Sequence, residues 1–321
     1  MYNNSFFIHK YKFLDWICFE KIDWDNLSFN ENPNAIHILE ENPDKFDWRW
    51  LSENPNAIQL LEKNSEQINW TWLSSNPNAI QLLEKNPENI NWNFLSRNPN
   101  AIHLLEENLD KINWEALSSN PNAIQLLEKN KNKVNWDYLS SNPNAIQLLE
   151  KNPENISWGY LSRNPNAIHL LEKNIEKVNW DYLSLNPNAI HILEKNLDKV
   201  SWYYLPLNPN ACNVLEKNID KANWDLLSLN SNSMHLLEKN LDKISWYNLS
   251  RNPNAINLLE KNQDKINWEL FCRNPSIFRK IINYKFLKER MDVIRVELLM
   301  KCMHPARLER WLEMGGDIDD F

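Results

Sequence analysis

The chain reads as an all-α protein, an α-solenoid of short two-helix units with a helical cap at each end. Three observations predict it. The stretch NPNAIQLLEKNPENINWNFLSR (Asn76–Arg97) is followed directly by near copies of itself. Pro33, Pro55, Pro77, Pro99, Pro121, Pro143, Pro165, Pro187 and Pro209 recur every 22 residues. Ser231 takes the next slot, before Pro253 and Pro275 restore the ladder. Only Gly159, Gly315 and Gly316 are glycine. Asn and Pro must therefore make the turns, and phosphate-cradling loops have almost no material.

The first helix of the unit begins near its proline. Asn76 is the expected N-cap and Pro77 the first helical residue, where its missing N–H is harmless. Ala79, Ile80, Leu82 and Leu83 then share a face, with Gln81 pointing away. Asn86 is expected to end the helix in a left-handed C′ position, with Pro87 enforcing the stop.

The second helix begins with a cap that varies in residue but not in chemistry: Asp47, Asn69, Asn91, Asn113, Asn135, Ser157, Asn179, Ser201, Asn223, Ser245 and Asn267. A tryptophan follows each cap, from Trp48 to Trp268. Ile90 before the cap and Leu95 four residues after it have the spacing of a hydrophobic staple. Acids after the tryptophan, such as Glu115 and Asp181, suit the positive end of the helix dipole. Trp24 comes two residues early, which places a small insertion at the first junction.

Such short helices are unstable alone in water. Stacking is what hides their Ile, Leu and Trp, so the units should form one continuous body. At helix-packing distances, about eleven units would extend on the order of 100 Å. The expected organisation is a helical cap over residues 1–23, a tandem-repeat solenoid over 24–282, and a helical cap and tail over 283–321. In the last segment NYKFLKERMDVIRVELLMKCM reads as an amphipathic helix, and HPARLERWLEM as another closed by Gly315-Gly316.

The tandem NPNAIxLLExN…IxWxxLS unit over residues 24–275 resembles repeat proteins of giant DNA viruses. The tail HPARLERWLEMGGDIDDF is similar to C-termini in proteins of the same viruses. The resemblance implies a repeat architecture and a viral setting, and it lends no activity and no catalytic residues. The copy at NSNSMHLLE, around Ser231, departs from the signature.

Bulk composition narrows the function. Net charge is −8 and the pI is near 5.5, an acidic balance that opposes non-specific nucleic-acid binding. Cys18, Cys212, Cys272 and Cys302 are far apart in sequence, which argues against a disulfide framework or a zinc site and fits a reducing compartment. The N-terminus lacks a signal-peptide pattern, and no run reaches the roughly 18 apolar residues of a membrane span. An intracellular, cytoplasmic protein is expected, in the host cell or the virion if the origin is viral.

No nucleophile elbow, phosphate-binding loop or HExxH motif occurs. Catalytic, cofactor-binding and metal-binding residues are therefore not expected. The repeated Glu40-to-Glu260 column is read as structural, pairing with nearby Lys, and the Asn42-to-Asn262 column as helix capping. Two sets of residues remain as contact surfaces. One is a polar ladder in the x position of AIxLLE: His37, Gln59, Gln81, His103, Gln125, Gln147, His169, His191, Asn213, His235 and Asn257. The other is an apolar stripe in columns that are mostly polar in earlier copies: Ile175, Leu185, Leu197, Tyr203, Tyr204, Leu207, Ile219, Leu229, Leu241 and Tyr247. An exposed stripe would mark a binding surface, whereas a buried one would be part of the inter-repeat joint.

The function expected from this is a non-enzymatic scaffold for protein–protein interaction, with a protein partner, no membrane and no cofactor. A self-assembling structural or virion-associated protein is the second reading. A nucleic-acid-binding solenoid is the third.

Overall fold

A computed structural model describes residues 9–282 and 284–315. Residues 1–8 of the predicted N-terminal cap, and Gly316 with the end of the tail, lie outside the described residues. The chain forms two compact units. One is the repeat body, Asp15–Ile277, and the other joins the segment up to Leu14 with residues 278–321.

The repeat body is an all-α solenoid. Its unit is a short helix, a turn that is 3-10 in most copies, and a second short helix. In the copy quoted above these are Ile80–Glu84, Pro87–Asn89 and Trp92–Leu95. We call the two helices the NPNA helix and the Trp helix. Most copies give the core an alanine and three large apolar side chains, here Ala79, Leu82, Leu83 and Leu95, all buried. The staple pair Ile90 and Leu95 is buried too.

Two details of the first helix differ from expectation. Asn76 opens a turn rather than the helix. Its side chain accepts from Asn78 N and its carbonyl from Ala79 N, and the helix starts only at Ile80. Asn86 ends the helix without entering the left-handed region, at φ −134°. Its side-chain amide instead donates to the Leu82 carbonyl at 2.8 Å. An orphan helix-end carbonyl is thus satisfied by a side chain, with no strained backbone.

The predicted caps of the Trp helix divide by residue type. Asp47 and the asparagines accept a hydrogen bond from a first-turn N–H, as Asn135 does from Tyr138 N. Ser157 and Ser245 make no such bond. In the copy after Ser201 the Trp helix gives way to a 3-10 turn, Leu205–Leu207, with Pro206 inside it. Proline cannot donate to an α-helical ladder, so the helix yields there.

What joins the copies is the buried asparagine of the Asn-Pro pair. Asn76 donates both amide hydrogens backwards, to the carbonyls of Ser52 and Asn54. Asn98 does the same to Ser74 and Asn76, and Asn142 to Ser118 and Asn120. A second asparagine reinforces the joint, Asn78 donating to Pro55 O. The serine of most LS pairs adds a third link: Ser74 Oγ accepts from Asn91 N of the next copy.

The ladder has no end. Asn30 donates to the carbonyls of Cys272 and Asn274, as every other member does to the copy before it. Asn32 reaches Pro275 O, and Asp23 N donates to Cys272 Sγ where other copies use a serine hydroxyl. Lys21 lies 5.0 Å above the Trp268 ring, and Trp16 packs on Phe271. The repeat body is therefore a ring. Its twelve ladder positions are Asn30, Asn54, Asn76, Asn98, Asn120, Asn142, Asn164, Asn186, Asn208, Asn230, Asn252 and Asn274. This overturns the extended body on the order of 100 Å expected from open stacking. The extra pair of residues at the first junction falls between Asn30 and Ala35, where Asn32 and Asn34 form one more turn.

The flanking unit corrects the predicted N-terminal helical cap. Residues His9–Phe13 form a strand (β1), antiparallel to Phe278–Ile282 (β2), with Phe13 opposite Phe278. Their rings stack at 5.5 Å. The sequence HKYKF alternates polar and aromatic residues, the pattern of a strand. Among the described residues, the only other regular element before residue 23 is one 3-10 turn, Phe19–Lys21. The C-terminal segment is helical as expected, over Tyr284–Cys302 and Pro305–Glu313, and Gly315 at φ 87° closes it. The longer helix is not amphipathic. Met291, Val293, Ile294, Val296, Leu298 and Leu299 point around its circumference and are all exposed. No helix of the described residues is long and apolar enough to cross a membrane.

Candidate functional site

Curvature separates the two helices of each copy. Consecutive Trp helices, such as Trp136–Ser141, Trp158–Arg163 and Trp180–Leu185, pack closely against one another. The residue after each LS pair, at the C-terminal end of the Trp helix, faces the concave side. Phe29, Glu53, Leu229, Arg251 and Arg273 occupy that column in five successive ring positions, and all five line one cavity of about 720 Å³. Glu31, Asn54, Pro55, Pro253 and Pro275 complete its wall. Around the ring the column continues through Ser75, Arg97, Ser119, Ser141, Arg163, Leu185 and Leu207.

One turn deeper in the same helices lies an aromatic ladder. Trp50, Trp72 and Phe94 make one run, with ring centroids 6.2 and 5.3 Å apart, and Phe29 of the concave column packs against its first ring at 5.0 Å. Tyr138, Tyr160 and Tyr182 make another, at 6.1 and 6.3 Å. These three tyrosines are exposed on the surface.

The predicted apolar stripe divides into separate rows. Leu185 and Leu229 end Trp helices, Leu207 ends the 3-10 turn that replaces one, and all three belong to the concave column. Ile175, Leu197, Ile219 and Leu241 sit in the turns before those helices, at the opposite end. Tyr203 and Tyr247 follow their tryptophans directly. Leu197, Tyr203, Leu207, Leu241 and Tyr247 are exposed, Tyr203 at 58% and Tyr247 at 57%. Ile175, Leu185, Tyr204, Ile219 and Leu229 are half-buried. The stripe is thus neither wholly core nor one continuous patch.

The polar ladder from His37 to Asn257 is exposed throughout. Three of its histidines reach the glutamate of the preceding copy: His103 to Glu84 at 2.7 Å, His169 to Glu150 and His191 to Glu172 at 2.9 Å. The same glutamate column meets lysine elsewhere, as Lys63 meets Glu40 and Lys151 meets Glu128. The Lys151 hydrogen bond holds the Glu128 carboxyl below its usual range. Such exposed pairs contribute little to stability. Among the described residues no group of three or more His, Cys, Asp or Glu could hold a metal ion.

Two features of the joint escaped the sequence reading. In most copies a lysine two residues before the cap lies over the tryptophan of the preceding copy: Lys111 over Trp92, Lys133 over Trp114 and Lys177 over Trp158, each at 4.7 Å. The signal was present as a lysine column with the period of the repeat. The second is the cysteine at the closure. Cys272 is buried, and that burial pushes its thiol up to about 12.

No family model, curated protein or solved structure matches the chain.

Proposed function

We propose that this protein is a non-enzymatic scaffold whose ring binds another protein. The observation that carries this reading is the exposure of Leu197, Tyr203 and Leu207 in one copy and of Leu241 and Tyr247 two copies further on. Equivalent positions elsewhere hold polar residues, such as Glu53, Ser75 and Arg97 after the LS pair. Several exposed apolar side chains on a body already joined end to end are a signature of surfaces that another molecule covers. The ring supplies a rigid frame for them, since every copy is tied to both neighbours. Function rests on the site rather than on the fold, and the groups gathered here suit contact rather than chemistry.

Self-assembly is the second reading. The two ends of the repeat body are used by its own closure, so growth by end-to-end stacking loses its surface. A second copy could still cover the apolar rows from the side. The acidic Asp137 and Asp181 beside the exposed tyrosines, with a net charge of −8, weigh against a nucleic-acid strand. The resemblance to repeat proteins of giant DNA viruses supports an infected-cell cytoplasm or a virion as the setting.

The test is affinity capture with mass spectrometry, run beside the Leu185→Ser, Leu207→Ser, Leu229→Ser triple variant. Circular dichroism checks that the variant still folds. A stoichiometric protein lost from the folded variant supports the scaffold. Recovery of the protein alone from both samples, with sedimentation that grows with concentration, replaces it with self-assembly.

A further inference from the structure

The aromatic row of the Trp helices has one vacant rung. Two residues after the tryptophan, eight successive copies from Trp50 to Tyr204 carry a ring in seven cases, and Ala116 in the remaining one. A cavity of about 410 Å³ opens at that copy, lined by Arg97, Asn113, Glu115, Ala116, Ser119 and Tyr138. The missing ring and the cavity are thus the same place. Its volume lies in the range of small-molecule sites.

The row itself gives the fit. Trp72 and Phe94, before the gap, are 5.3 Å apart, and Tyr138 and Tyr160, after it, are 6.1 Å apart. Two such steps, bent as the ring bends them, leave about 11 Å between Phe94 and Tyr138, so a ring midway lies ~5.5 Å from each, inside the ~4.5–7 Å of attractive aromatic pairs. A saturated side chain lacks the quadrupole that orders such pairs.

The wall also carries one charge of each sign. Arg97 follows the helix Trp92–Leu95, and Glu115 lies in the first turn of Trp114–Ser118. Among the described residues neither side chain makes a hydrogen bond or an ion pair. The neighbouring polar groups are engaged. Asn113 accepts from Ala116 N and donates to Asn93, and Ser119 donates to the Ala116 carbonyl. Two unpaired charges of opposite sign in one cavity favour a ligand that is neutral overall and charged at both ends. A nucleotide would bring its phosphate towards Glu115, and an aromatic amine would bring a cation with no anion for Arg97.

We propose that the vacant rung binds a free aromatic amino acid. Its ring completes the row between Phe94 and Tyr138, its carboxylate meets Arg97, and its ammonium meets Glu115. Arginine's planar fork suits the carboxylate. The site stands independently of the protein partner proposed above.

The test is titration of the full chain with L-phenylalanine, read by calorimetry and by saturation-transfer NMR. The expected result is saturable one-site binding in the millimolar range. Ala116→Tyr puts the row's own kind of ring into the cavity and should abolish binding, with circular dichroism showing that the variant folds. Arg97→Ala and Glu115→Gln change exposed side chains and should each weaken binding about threefold, the size of a screened ion pair. L-leucine, 3-phenylpropionate and phenethylamine should each bind more weakly than phenylalanine. No binding at the solubility limit of phenylalanine overturns the proposal, and so does binding that survives Ala116→Tyr. If Ala116→Tyr misfolds, the two charge variants decide, and unchanged binding in both overturns the site. N-acetyl-phenylalanine amide binding as tightly as phenylalanine overturns the zwitterion in favour of an aromatic side chain on a protein partner. Adenosine monophosphate binding where phenylalanine does not, and lost in Ala116→Tyr, overturns it in favour of a nucleotide.

Discussion

Asn30 donates its side-chain amide to the carbonyl of Asn274 at 2.9 Å, across 244 residues of chain. The same donor reaches Cys272 O at 2.8 Å. This pair of bonds copies the one that Asn274 makes to Ser250 and Asn252. The joint between the first and last copies is therefore another instance of the repeat contact, not a special cap. It turns a ladder of local bonds into a ring.

Replacing a ladder asparagine should be costly. Asn142→Ala leaves the buried Ser118 carbonyl without a donor and takes from Asn120 O one of its two, the other being Ala123 N. An unsatisfied buried group costs about 1–3 kcal/mol, so a loss of roughly 3 kcal/mol is expected in urea unfolding. The neighbouring Asn144→Ala removes one exposed bond to Pro121 O and should cost about 1 kcal/mol or less. Equal costs would show that the buried ladder does not hold the copies together.

Cys272 should be chemically silent in the folded ring. Its thiol is raised to about 12 by burial, so at pH 8 it stays protonated and a poor nucleophile. Mass spectrometry after brief alkylation should find the exposed Cys18 labelled first. The linkage has a definite sign. The unfolded thiol ionises near its usual value of 9 and the folded one only near 12, so this contribution to stability is intact below pH 9 and lost as pH rises towards 12. Cys272→Ser should remove that alkaline loss and keep the bond from Asp23 N, because serine is the residue most copies use there. A variant that melts lower at every pH would contradict this.

Removing one copy should damage the whole body. Deleting residues 121–142 joins equivalent positions in register, which an open array would tolerate. In the ring it leaves Asn30 one step short of Asn274. Thermal unfolding should shift down by well over the ~2–4 °C that about 1 kcal/mol gives in a large domain. Protease sensitivity should appear near residues 15–32 and 268–277, on either side of the joint. An unchanged melting temperature would mean that closure adds nothing.

The lysine–tryptophan stacks should be modest and additive. Lys177→Met removes a cation 4.7 Å from the Trp158 ring while keeping an unbranched apolar chain. A loss of about 0.5–1 kcal/mol is expected. Combining it with Lys111→Met, three copies away around the ring, should double the cost. Strong coupling between the two would point to a concerted rearrangement instead.

The helices, their order and their core were legible because each rests on local chemistry. A Pro after Asn, leucines on one face and an Asn before Trp report their roles within a few residues. The asparagine ladder was less legible. Asn76 looks like an ordinary helix cap, and only the placement of Asn54 and Ser52 shows that it donates backwards. Closure could not be read at all from one copy, since it depends on a small turn per joint accumulated around twelve joints. The strand His9–Phe13 was missed for a similar reason: its partner, Phe278–Ile282, lies at the far end of the sequence. The split of the apolar stripe followed from curvature, which sets the C-terminal ends of the Trp helices on the inner wall and the preceding turns away from it. The columns themselves, including the switch from Arg163 to Leu185, were visible in the sequence from the start.

Tandem-repeat proteins ordinarily fray. Their outermost modules have one neighbour instead of two, so they open first and the rest unzips after them. The bond from Asn30 to Asn274 leaves this protein no outermost module. Opening anywhere must break two interfaces before any chain is released, which raises the barrier to unfolding more than it deepens the native well. Longevity of this kind is kinetic. Its signature would be slow amide exchange spread evenly around the circle, with no gradient from either end.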